Sequence, residues 1–134
     1  MMHKILVAYD GEEPARRALD TAAEMAKRFG ATVSVVSVVP ARPGRFPMDP
    51  WDDTATHARE LLDARQILRE DGIEADLLEP IGDPATTIER IADEGDFDVI
   101  VVGTRDLGAI GRTFQGSVSE HIATHAKATV VVAR

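Results

Sequence analysis

Short runs in which every position is apolar alternate along this chain with longer stretches in which apolar residues recur every three or four positions. The first run, residues 4–9, carries Ile5, Leu6, Val7, Ala8 and Tyr9 and stops at the turn signal Asp10-Gly11. It predicts a strand buried on both faces. Ala15, Ala18, Leu19, Ala22, Ala23, Ala26 and Phe29 then mark one face of a helix over about residues 14–29, with Pro14 in its first turn and Gly30 as its stop. Residues 32–39 are rich in valine and predict a second strand ending at Pro40.

Four of the seven prolines (Pro40, Pro43, Pro47 and Pro50) fall in residues 40–53 with Gly44, Phe46 and Trp51, which rules out regular helix or central strand and predicts a stiff loop. Its two large aromatics either cover a ligand or pack the loop onto the sheet edge. A second helix over 54–71 places Ala58, Leu61, Leu62 and Leu68 inward, and Gly72 turns the chain into a weaker strand around 74–79. Asp83-Pro84 supplies a capping side chain and a first-turn proline for a third helix, which carries Ile88, Ile91 and Ala92 on one face and ends at Gly95. Residues 98–102 and 128–133 are two further apolar strands, with a helix over about 117–126 between them.

Strands that alternate with helices and are apolar throughout predict a parallel sheet covered on both faces. The expected fold is a single doubly wound α/β domain spanning residues 1–134, with a five-stranded sheet in the order 3-2-1-4-5. At 134 residues there is room for one core and not for two.

Charge narrows the partners. Fifteen basic residues against 23 acidic ones give a net charge of −8, which argues against nucleic acid and anionic membrane surfaces. The excess is uneven. Residues 103–134 hold Arg105, Arg112, Lys127 and Arg134 against Asp106 and Glu120, a net +2, so residues 1–102 carry −10 from 11 basic and 21 acidic side chains. If an anionic ligand binds, the last quarter is where it is expected. The absence of cysteine removes disulfides, thiolate metal sites and Cys nucleophiles. No apolar run approaches the roughly 18 residues of a membrane span, and the N-terminus leads into a strand, not a signal segment, so a cytoplasmic protein is expected.

Ligands of doubly wound sheets bind beyond the carboxyl ends of the strands, where the strand order reverses. The loop after the first strand, Asp10 to Glu13, holds three carboxylates and would repel phosphate. The loop after the fourth, Gly103 to Gly116, offers glycines, two arginines and hydroxyls ahead of a helix N-terminus, a set suited to phosphate. The same residues also read as a capping box, Ser117 with Glu120, after an ordinary long loop. His121 and His125 have the one-turn spacing of a metal pair, but no HExxH glutamate or cysteine accompanies them, and no metal is assigned. A phosphoacceptor receiver domain fits the length, but Glu79-Pro80 stands where its third strand would need an aspartate.

The strand ending in Asp10-Gly11, the valine-rich second strand, Gly82-Asp83-Pro84, residues 98–103 and Gly116-Ser117-Val118-Ser119 together resemble the universal stress protein family, in order along the whole chain. Nucleotide-binding members of that family carry Gly, two residues, Gly, nine residues, then Gly with Ser or Thr. Here Gly103, Gly116 and Ser117 fit, and Asp106 replaces the middle glycine. The resemblance implies an adenine nucleotide, ATP, AMP or cyclic AMP, with or without Mg2+ or Mn2+; the loop offers no well-placed general base beyond Asp106 and no carboxylate pair for Mg2+, so little or no hydrolysis is expected. It implies that Asp10 holds the ribose and that Ala8, Tyr9, Val38 and Val102 frame the adenine. Gly103, Arg105, Gly116, Ser117, Val118 and Ser119 would wrap the phosphates. Arg105 either touches phosphate or pairs with Asp106. The apolar members equally suit plain sheet core, and Asp10 equally suits a turn. A homodimer through the last strand, from Ala128 to Ala133, is expected because an apolar edge strand needs a partner. A dimeric interaction module of the same fold that binds no nucleotide is the alternative.

Overall fold

The computed structural model describes residues 3–40, 54–103 and 114–134, with backbone only at 40, 54 and 114–117. In chain order the elements are β1 (Lys4–Ala8), α1 (Glu13–Phe29), β2 (Thr32–Val36), β3 (Val39–Pro40), α2 (Thr54–Glu70), β4 (Ala75–Leu78), β5 (Ile81–Gly82), α3 (Pro84–Glu94), β6 (Val99–Gly103), α4 (Phe114–His125) and β7 (Thr129–Ala133). The main sheet is parallel, in the order β4-β2-β1-β6-β7. Counting its five strands alone, this is the expected 3-2-1-4-5.

The two extra strands are a departure. Instead of one strand over 32–39, β2 stops at Val36, and β3 pairs in parallel with β5 as a separate two-stranded sheet. Pro40, read as loop, is its second residue. A two-stranded sheet is all edge, where a proline with no N–H to give is tolerated.

Side chains alternate across the strands, so each strand feeds two cores. Ile5, Val7, Val33, Val35, Val99 and Val101 pack under α1 and α2; Leu6, Val36, Ile100 and Val102 pack under α3 and α4. Helix α1 is built for close approach, because Ala15, Ala18, Ala22, Ala23 and Ala26 form its buried stripe with Leu19. Phe29, expected on that stripe, is the last residue of the helix and is 53% exposed. In α2 the buried stripe is His57, Leu61, Ala64 and Leu68. Leu62, expected inward, is half exposed, because it lies about 100° around the helix from Leu61.

Asp83 caps α3 as its sequence predicts: its carboxylate accepts from the Thr86 N–H at 3.1 Å, and that bond holds its pKa below the ordinary carboxylate value. Helix α4 starts at Phe114, three residues earlier than expected. Ser117 therefore sits within the first turn and not at the position that precedes the helix. Among the described residues no helix is long and apolar enough to cross a membrane.

Candidate functional site

The chain runs outward from β1 through β2 to β4 and then returns to the other side of β1 with β6 and β7. The order thus reverses between β1 and β6, and the residues beyond the carboxyl ends of these strands define the candidate site. Asp10 follows β1, and its Oδ1 accepts the Glu12 N–H at 3.0 Å. This is an Asx turn, so the turn-forming reading of Asp10 holds, and the turn also fixes the direction of the carboxylate. Gly11 has φ +83°, a conformation that glycine adopts without strain.

Gly103, at the end of β6, lies directly against the first turn of α1. A Cβ there would stand 2.1 Å from the Pro14 carbonyl oxygen, 2.3 Å from its carbon and 2.8 Å from the Ala15 nitrogen. The glycine thus lets helix and strand touch backbone to backbone, beside the loop that the sequence motif assigns to phosphate.

Ala8, Val38, Val102 and Val118 all belong to the core under α3 and α4. Val102 is buried, whereas Ala8 and Val38 are partly exposed at its rim. Tyr9 does not join them. Its ring is buried on the opposite face, and its hydroxyl donates to Asp63 Oδ2 at 3.0 Å. Burial, and then the Asp63 carboxylate, push the phenol well above its ordinary pKa. Ser119 is buried in α4, and Gly116 and Ser117 lie in that helix's first turn. Arg105 and Asp106 lie outside the described residues, as do Phe46 and Trp51.

A polar cluster beside Asp10 escaped the sequence reading. Ser37 Oγ lies 2.6 Å from His57 Nδ1 and 3.4 Å from Glu60 Oε2, and His57 Nδ1 is 3.5 Å from Glu60 Oε2. Ser37 is 2% exposed, so it ties the end of β2 to α2 and is not placed to attack a substrate. The available signal was His57, which stands four, seven and eleven residues before Leu61, Ala64 and Leu68 on one stripe.

Burial, and then the negative charge of Asp10, push Glu60 up to about 7, against the hydrogen bond from Ser37. An exposed Glu ionises near 4.5, so the folded state binds the extra proton between these two values and stability falls as pH rises through that window. Glu60→Gln is expected to match the parent at the acid end of the window. Above its alkaline end the variant should be more stable by about 1 kcal/mol, a figure reduced for partial solvent screening. Urea denaturation at two pH values checks this; an equal difference at both would remove Glu60 from the account.

Asp10 and Glu12, joined by Glu60 once it ionises above about pH 7, make this side of the site anionic. Carboxylates accept hydrogen bonds from hydroxyl and amide donors and repel anions.

A parallel sheet with helices on both faces and a reversal of strand order between β1 and β6 is the doubly wound α/β architecture. Comparison with known proteins defines it further. The Universal stress protein family matches residues 1–134, and the chain belongs to that family. It is 34% identical over 143 residues to the "Universal stress protein in QAH/OAS sulfhydrylase 3'region" of Thermus aquaticus, covering the whole of both chains. Among solved structures, it resembles the universal stress protein UspA from Lactobacillus plantarum, with TM-score 0.81 and 27% identity over 98% of this chain and 97% of that one. It also resembles the universal stress protein from Archaeoglobus fulgidus in complex with dAMP, with TM-score 0.76 and 28% identity over 100% of this chain and 98% of that one.

Proposed function

We propose that this chain is a stress-response or signalling module that binds an adenine nucleotide beyond the carboxyl ends of β1, β2 and β6. The observation that carries the reading is the pair of partly exposed apolar residues Ala8 and Val38 beside the turn-held carboxylate of Asp10, at the point where strand order reverses. In this reading the adenine lies against Ala8 and Val38, with Val102 beneath them. The Asp10 carboxylate accepts from the ribose, and the backbone of Gly103, Gly116, Ser117, Val118 and Ser119, with Arg105, surrounds the phosphates. Tyr9 contributes main chain only, since its side chain belongs to the opposite core. The Archaeoglobus fulgidus relative bound to dAMP supports the ligand class. The role is sensing, with ATP, AMP or cyclic AMP as candidates and Mg2+ or Mn2+ as possible companions of a polyphosphate.

Titration calorimetry of the three nucleotides, with and without Mg2+ or Mn2+, tests the proposal. Saturable one-to-one binding that Asp10→Ala weakens is expected. Binding indifferent to Asp10, or none at all, would overturn it.

A second reading, a dimeric module that binds no nucleotide, is favoured by Asp106 at the motif's middle position. Both readings place a homodimer at β7, an outer strand of the sheet on which Val132 is 41% exposed. Val132→Lys is expected to shift the mass found by light scattering from dimer to monomer. A monomeric parent at micromolar concentration would remove the dimer.

A further inference from the structure

The histidine pair on α4 acquires a third partner from α3. His121 Nδ1 lies 2.7 Å from Glu89 Oε1, and the two imidazoles stack with centroids 4.2 Å apart and planes 18° apart. One nitrogen of each ring and one carboxylate oxygen all lie within 4.8 Å of one another. We propose that Glu89, His121 and His125 form a site for a divalent cation of the Zn2+, Co2+ and Ni2+ class, which joins α3 to α4.

The donor set decides the class of ion. Two imidazoles with one carboxylate suit these borderline ions, whereas Mg2+ and Ca2+ select all-oxygen surroundings. Three protein ligands are also the number that leaves a fourth, tetrahedral position to water. In such a sphere, with bonds of about 2.0–2.1 Å, ligand atoms stand roughly 3.4 Å apart. Closing the cluster onto an ion therefore takes side-chain rotation, and His121 is 45% exposed and able to turn.

Orientation is partly set in advance. His125 Nδ1 lies 2.9 Å from the His121 carbonyl oxygen, so the tautomer that donates there leaves its Nε2 lone pair for a metal. Glu89 is the more buried partner at 19% exposure and anchors the cluster to the protein. Asp83 lies within electrostatic reach of His121, whereas Asp93 on α3 is paired with Lys127 at 3.5 Å.

This cluster is separate from the nucleotide site. Helices α3 and α4 begin at the carboxyl edge of the sheet; Glu89 lies midway along α3, and His121 and His125 lie in the later turns of α4. Glu89 and His125 open onto a cleft of about 640 Å3 that also reaches Asp98 and Thr129, at the opposite ends of β6 and β7. The inference therefore stands or falls independently of nucleotide binding.

The test is titration of the untagged chain with Co2+, followed by visible absorption, and with Zn2+, followed by calorimetry. One ion per chain and the strong absorption of four-coordinate Co2+ are expected. His121→Ala and His125→Ala should abolish both signals, Glu89→Gln should weaken binding about 10–100-fold, and His3→Ala should change nothing. Zn2+ should raise the melting temperature of the parent but not that of His125→Ala, and the metal-free melting temperatures report that the variants fold. No saturable binding, or binding retained in both histidine variants, would overturn the site.

Discussion

Gly103→Ala is expected to lower the stability of the fold by about 2–4 kcal/mol, a fall of roughly 10 °C in melting temperature for a domain of this size. The cause is steric. The new methyl group would meet Pro14 and Ala15 at 2.1–2.8 Å, and its three nearest neighbours are all backbone atoms. No rotamer change relieves such a contact; either β6 or the first turn of α1 must move. Both are held, since β6 pairs with β1 and β7, and α1 buries its alanine stripe against the same sheet. Gly30 makes the comparison. It has φ +66° but nothing within 4 Å of a Cβ, so Gly30→Ala meets only the backbone penalty, about 1 kcal/mol. Denaturant unfolding of the two variants separates the effects, and a cost for Gly103→Ala no larger than that for Gly30→Ala would show that the α1–β6 contact yields. The result also bears on function. A glycine at this point of the motif serves helix packing, so lost ligand binding in a Gly103 variant is informative only beside its stability.

What the sequence revealed followed from how locally each feature is encoded. The central strands are apolar throughout because both faces are covered, and that pattern is visible within five residues, as at Val99 to Val102. Asp83-Pro84 announced α3 because capping is an interaction across three residues. Helix faces were read less well where one angular step separates two leucines, and Leu61 and Leu62 fell on opposite sides of that boundary. The polar clusters were the least legible. Ser37, His57 and Glu60 meet because β2 and α2 pack together, and Glu89 reaches His121 across 32 residues of sequence. No spacing rule connects such residues, since the chain between them sets only that the helices are neighbours. In the main site the motif residues could be named, but the division of Ala8 and Val38 from Tyr9 between two cores depends on strand parity at β1, which only the fold displays.

Asp106→Gly is expected to tighten ATP binding by at least tenfold. In the proposed reading this is the position, glycine in the family motif, where backbone approaches phosphate, and Asp there adds a carboxylate to a site for a polyanion. Two unit charges about 4 Å apart repel by about 4 kcal/mol at an effective dielectric near 20, whereas tenfold in affinity needs only about 1.4 kcal/mol, so a largely screened contact suffices. The predicted gain grows with ligand charge: largest for ATP, smaller for AMP and absent for adenosine. Mg2+ should narrow the difference between parent and variant by neutralising the phosphates that the carboxylate opposes. Asp106→Asn distinguishes charge from backbone freedom, because Asn keeps the side-chain shape and the tolerance of positive φ but carries no charge. Recovery of most of the gain in the Asn variant would assign the effect to charge, and recovery only in Gly would assign it to backbone geometry. Calorimetry that finds the same ATP affinity in all three proteins would show that the position does not face the phosphates, and the orientation with ribose at β1 and phosphates at β6 would then have to be reversed or abandoned.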